Sequence, residues 1–493
     1  MMLFAADKSR DPAPEALATA GRLAQPAADR WVHILRPKYA VSTLTLCLGV
    51  ALFAFNTFLV STALPSAVAE LDGASLISWS TSLYLIFAIL GGSAAAQIQA
   101  RRGPRAALVA SSIVFLAGTL LAAAARGMPQ LLAGRVLQGL GEGIIAAICY
   151  ALIPRIFPSG LVQKVFGAEA IVWAVAAFGG PVIAGYLTET ASWRMAFLVN
   201  APASLIFMFL AVIVAPSRGE SGDRARLPVA PLALIAAGML FITFAGLASP
   251  TLAIAVALAG FAAFALALRI DRGSAAPLFP KDAFRASRPV GAGLWVVLLM
   301  PMAQSSGSVF VVYGLQNLWG YAPTLAGSLN AIMALSWSAI AIVAASLSSR
   351  RLRLALIWIG PAMLILGLAG LVFAFWTGQI ALLVVAQILV GGAFGACWGA
   401  LSQAVMEAAL EQERDRASAL LPTAQSAGYA IGAALMGAIA NMAGFASARA
   451  GAELQQAMVV VLMAGTALAI PALAAALRAA AFLKGRADVR LGS

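Results

Sequence analysis

Three polar residues set one stretch of this chain apart. Of its 19 acidic residues, only Glu142 falls near the middle of a long apolar run, and that run (130–153) also holds Arg135 and Gln138. As a helix, the run would place Arg135 two turns before Glu142, about 10.5 Å along the axis and on nearly the same face, with Gln138 between them. Such a stripe on an oily cylinder can do chemistry. Loss of water disfavours a charged carboxylate, a neighbouring guanidinium favours it, and a group balanced between the two can take up and release a proton. Two plainer roles compete. Glu142 could be locked in a hydrogen bond or ion pair with another helix, and Arg135 could be an anchor bonded to polar groups of the first apolar run, such as Asn56.

Little else on the chain can support chemistry. His33 is the only histidine, which leaves nothing for His-based catalysis or a His-containing ligand set. Cys47, Cys149 and Cys397 lie singly inside apolar runs with no metal-ligand spacing, so neither a bound metal nor a disulfide is expected. No phosphate-binding glycine loop occurs, which excludes ATP as the direct energy source, and no cofactor is expected. The chain does not read as an enzyme.

The elements that must position the stripe follow from composition. The 493 residues are 62% hydrophobic and 10% charged, whereas about a quarter of a soluble domain is charged. A bilayer accommodates that much apolar surface, because a helix of about 20 apolar residues spans it with its backbone hydrogen bonds satisfied internally. Runs long enough to span lie at 40–64, 77–99, 106–125, 130–153, 165–188, 196–215, 229–247, 251–269, 289–313, 323–347, 354–376, 379–409, 418–442 and 457–481. The separators include Pro65, Gly103-Pro104, Pro154, Pro216, Pro250 and Pro280 as expected helix breakers.

The net charge of +13 could suggest nucleic acid, but placement argues otherwise. With the N-terminus inside, 28 of the 32 Lys and Arg fall on inner segments, Arg126, Arg194 and Arg449 fall outside, and Arg135 lies within a span. That bias is the signature of membrane topology with both termini cytosolic, in the cell (inner) membrane, and no nucleic-acid partner is expected. Two polar connectors, at 216–228 and 270–288, divide the spans into six, two and six. The expected organisation is a cytosolic tail (1–38), a six-helix bundle (39–215), linkers with a two-helix insert (216–288), a second six-helix bundle (289–481) and a C-terminal cytosolic tail (482–493). The two bundles show a hint of repetition, since Gly139 and Gly143 of the fourth span align with Gly391 and Gly395 of the twelfth.

Several motifs in order carry a resemblance: the run from Asn56 to Pro65, the loop Arg101-Arg102-Gly-Pro-Arg105, Arg135-x-x-Gln138-Gly139, Gly167, Gly180-Pro181 with Gly185, and Ser192-Trp193-Arg194 leading to Asn200 and Pro202. Tyr313-Gly-Leu-Gln316 and Gln425-x-x-Gly428-x-x-x-Gly432 continue it. Over essentially its whole length after the tail, the chain resembles the major facilitator superfamily, and within it the fourteen-helix drug:proton antiporters. The resemblance implies an all-α polytopic membrane protein of 6+2+6 helices. It also implies a monomeric secondary transporter exporting lipophilic drugs or related small molecules in exchange for protons by alternating access. A proton-coupled or facilitated importer of a small metabolite or organic anion is the alternative. The pattern departs at Asn56, where the family has an acid, at Ala100 in the loop, and at Ala176 and Ala184, where glycines are usual. With the first-helix acid missing, proton coupling is expected at Glu142 and Arg135.

The remaining residues take expected places around that pair. Asn56, Gln138, Tyr150, Trp173, Trp295, Gln316, Asn330, Trp337 and Trp398 are candidates to line a cavity for lipophilic ligands. Gly180, Pro181, Gly185, Gly428 and Gly432 would bend or closely pack their helices. Arg101, Arg102, Arg105 and Glu169 are assigned to a cytoplasmic gate, with Glu169 solvated or in a salt bridge there and a proton site as its less favoured alternative.

Overall fold

A computed structural model describes residues 31–217, 228–274, 277–347, 349–448 and 451–491, so the expected N-terminal tail lies largely outside the described residues. The described chain is all helical apart from turns. Its helices are α1 (Pro37–Glu70), α2 (Ile77–Arg102), α3 (Pro104–Ala123), α4 (Met128–Ile156), α5 (Ser159–Thr190), the short α6 (Trp193–Leu198), α7 (Asn200–Val214), α8 (Val229–Ala245), α9 (Pro250–Arg272), α10 (Pro289–Asn317), α11 (Pro323–Ala345), α12 (Arg350–Thr377), α13 (Ile380–Ala408), α14 (Arg414–Met442) and α15 (Ala452–Leu491).

Sequence sets many of these boundaries. Pro37, Pro104, Pro250, Pro289 and Pro323 each open a helix, where the missing N–H is no loss and the fixed φ is already helical. Gly103 turns the chain between α2 and α3 at φ 81°, and Gly378 ends α12 at φ 70°, both conformations that disfavour a Cβ. Two expected breakers do not break. Pro65 lies inside α1 and Pro154 inside α4, each within the last turns of its helix, where few later residues depend on the lost bond and an apolar surround keeps the rest helical. Likewise, the stretch expected as a C-terminal tail continues α15 to Leu491.

Every expected apolar span is helical. Twelve helices among the described residues are long and apolar enough to cross a membrane, α6 and α7 together forming one. The other two expected spans are α8, only 17 residues long, and α14, which opens with charged residues and carries Thr423, Gln425 and Ser426.

Packing divides the molecule unevenly. Near the end where α1 stops and α2 starts, here called the distal end, Leu59, Ala63, Ala67 and Phe197 belong to one continuous apolar core with Phe310, Leu315 and Phe375. At the opposite, proximal end, Leu46, Leu108, Phe115, Ile148 and Phe207 form a separate core. Helices α5 and α11 pack across the seam between residues 31–217 and 289–491, as do α2 and α14. The two-helix insert is keyed into that seam, with α8 against both α2 and α14 and Phe244 set edge-on to Trp79, ring centroids 4.8 Å apart.

Candidate functional site

Glycines bring α4 close enough to its neighbours to build the site. A Cβ on Gly139 or Gly143 would strike the carbonyl oxygens of Tyr84 and Ala88 on α2. Small residues at such contacts let helices pack backbone to backbone in a membrane. That contact places the Tyr84 ring beside the polar stripe.

Glu142 is fully buried. Its Oε2 accepts hydrogen bonds from the Tyr84 hydroxyl at 2.7 Å and from Asn56 Nδ2 at 3.1 Å. Its Oε1 has no partner among the described residues. Asn56 accepts in turn from Asn200 Nδ2 on α7 at 3.3 Å. Arg135, also buried, donates from Nε to the Ser80 carbonyl at 3.3 Å and from Nη1 to Gln138 Oε1 at 2.8 Å. Gln138 passes the chain on to Thr119 of α3 at 3.0 Å. One polar network thus ties α4 to α1, α2, α3 and α7.

The geometry corrects one expectation and refines another. Asn56 bonds Glu142, so Arg135 is anchored instead on α2 and on its own helix. The guanidinium and the carboxylate are not a direct pair: Tyr84 stands between them, its ring 4.1 Å beneath the guanidinium and its hydroxyl on the acid. Tyr84, Ser80 and Thr119 are not among the residues the sequence singles out, and Asn200 is singled out there only as part of a motif. Tyr84 carried the one usable signal, since a tyrosine mid-span must find its hydroxyl a partner.

The expected cavity residues scatter. Trp173 of α5 packs edge-on to Phe53 and Phe58 of α1, linking α5 to the site through an aromatic chain that continues from Phe53 to Tyr84. Tyr150 is exposed and stacks on Phe166. Asn330 accepts from Gln387 at 3.1 Å, and Trp337 stacks on Phe394 at 4.9 Å, so both belong to the second group of helices. Trp398 lines a small apolar hollow with Met300, Pro301 and Phe394. Trp295 is not at the centre: its indole donates to the Phe284 carbonyl at 2.9 Å, pinning the connector before α10. Trp193 of the motif is buried and donates to Glu70 at 2.7 Å, beside the Arg194–Glu70 ion pair.

Gln316 does its work at the distal end, donating to the Thr62 carbonyl at 3.0 Å and accepting from Ser66 at 3.4 Å. Nearby, Glu189 of α5 accepts from the Thr324 amide at 2.7 Å. Asn441 of α14 donates to the carbonyls of Ser75 and Gly246, joining both groups and the insert. The glycine motif of α5 serves the same closure. Gly185 abuts the Thr324 backbone, and Pro181 packs on Gly327 of α11. Gly428 and Gly432 press instead on α10, against Leu298 and Met302.

The residues expected at the cytoplasmic gate do not meet one another in this structure. Arg105 is spent on the Ala215 carbonyl at 3.0 Å, within its own group, while Arg101 and Arg102 are exposed. Glu169 is neither solvated nor paired. It is buried, and neither carboxylate oxygen has a partner among the described residues. Sequence position put it near the basic proximal loops, but its face of α5 turns inward.

A bundle of membrane-length helices, closed at one end around a buried acid–arginine network, is the architecture of a solute transporter. The chain belongs to the Major Facilitator Superfamily, whose model matches residues 46–433. A protein of Mycobacterium tuberculosis named as a probable multidrug-efflux transporter is 30% identical over 450 residues, spanning 88% of this chain and 94% of the relative. Among solved structures, a peptide transporter superposes with a TM-score of 0.64 at 15% identity, covering 89% of this chain and 94% of that one. A D-xylose-proton symporter does so with 0.60 at 16%, covering 87% and 96%.

Proposed function

We propose that this protein is a proton-coupled exporter of lipophilic drugs or related small molecules, working by alternating access with Glu142 as its coupling acid. The observation that carries this reading is the half-satisfied carboxyl of Glu142: one oxygen is held by Tyr84 and Asn56, and the other is buried without a partner among the described residues. An acid so placed can be held in register while its free oxygen gains and loses a proton. The efflux role named for the mycobacterial relative supports the direction of transport.

In this reading residues 39–215 and 289–481 rock against one another about the insert and linkers of 216–288. The bias of basic residues toward the inner segments supports a cytosolic proximal end; in this reading the sealed distal end faces outward and the substrate path opens to the cytosol. Glu142 loses its proton on that side as substrate binds. On the outward side it regains one as substrate leaves. Everted membrane vesicles, acidified inside, test this. Adding a panel of cationic, neutral and anionic lipophilic compounds, ethidium among them, should release protons for at least one class. Release by none of them contradicts export and favours the importer alternative.

A further inference from the structure

Glu169 is a second carboxyl group deep in the first group of helices, and the coupling scheme above makes no use of it. It is 2% exposed, and both of its oxygens lack a partner among the described residues. Among the described residues, the groups that feel its charge include Cys47 from α1 and Cys149 and Tyr150 from α4, none of them a cation. Helix α11, packed on the other side of α5, holds no titratable residue. The nearest lysine on α5 is occupied elsewhere. Lys164 lies over the Trp31 ring at 5.5 Å, and Trp31 itself packs on Gly167. His33 shares that turn with Trp31.

A carboxylate buried without a hydrogen-bond donor or cation is strongly disfavoured, whereas the neutral acid is tolerable. Position adds a second argument. Cys149 of α4, which feels the charge of Glu169, follows Glu142 by seven residues, about 10.5 Å along that helix, so the surroundings of Glu169 on α5 lie about two helical turns from Glu142. Glu142 is the deeper, and Glu169 lies nearer the proximal end.

We propose that Glu169 is a second proton-binding site of this transporter, separate from Glu142 and two helical turns closer to the proximal side. The inference rests on reading the protein as proton-coupled. Its consequence is that the cycle can carry two protons, one at each acid, where the polar stripe alone would carry one. The acid at 169 is then a working group rather than a member of a loop gate.

Infrared spectroscopy of the purified protein in lipid nanodiscs tests this without knowledge of the substrate. The wild type should show protonated-carboxyl absorption at acid pH that fades at alkaline pH. Glu169→Gln should remove one part of it and Glu142→Gln a different part, and the double variant should lack both. Glu169→Asp should shift the Glu169 band in frequency rather than abolish it, and serves if the Gln variant does not fold. A Glu169→Gln spectrum identical to wild type overturns the proposal, as does a Glu169 band that persists at every pH. Loss of a band in Glu169→Gln with none lost in Glu142→Gln would leave this site standing and remove Glu142 as the coupling acid.

Discussion

Helices α4 and α13 do the same packing and different chemistry. Gly139 and Gly143 of α4 seat against Tyr84 and Ala88 of α2, and Gly391 and Gly395 of α13 seat against Met333 and Trp337 of α11, four residues apart in each case. At the spacing those glycines fix, Arg135, Gln138 and Glu142 correspond to Gln387, Val390 and Phe394. Where α4 carries a charged network, α13 carries one amide pair, Gln387 with Asn330, and a stack of Trp337, Phe394 and Tyr429. The shared backbone contacts build two matching frames. The different side chains give the first frame the ionisable groups and the second a stack of aromatic rings.

The contrast can be broken most severely at Arg135. Arg135→Met removes the guanidinium from the Tyr84 ring and strips Gln138 of its donor, with an expected stability loss on the order of 3 kcal/mol. Thermal unfolding in detergent should show a clear drop in midpoint, and a midpoint equal to wild type would mean that the network is not structural. Gly139→Ala and Gly391→Ala test the shared frame, since each Cβ would press on a neighbouring carbonyl oxygen. Both should destabilise by similar amounts, about 1–3 kcal/mol. A large loss for only one would show that the frames are not equivalent. The smallest effect is expected at Gln387→Ala, which gives up a neutral hydrogen bond worth about 1 kcal/mol. Transport in vesicles should survive that change, and its loss would move part of the mechanism into α13.

Much of this was legible from the sequence, for physical reasons that differ by region. Apolar run length and the placement of arginines found the helices because a bilayer imposes both. The stripe on α4 was visible because charge in an apolar run is costly and helical spacing is regular. Its partners were not visible: Tyr84, Ser80 and Thr119 come from two other helices, Asn200 was seen as a motif residue but not as a member of the network, and only the tertiary contact at Gly139 brings Tyr84 within reach. Glu169 was misplaced because depth along a helix was read without its rotation. Trp295 was misplaced for a related reason, since an indole near a span end can turn to a backbone carbonyl as readily as to a central cavity.

The central claim is that the first frame couples transport to protons through Glu142. The most direct measurement compares wild type with Glu142→Gln in vesicles under an imposed pH gradient, using the compounds that the wild type exchanges for protons. Gln keeps an oxygen to accept from Tyr84 and Asn56, so the variant should fold yet move those compounds with no response to the gradient. Full gradient-driven movement by Glu142→Gln would contradict the account.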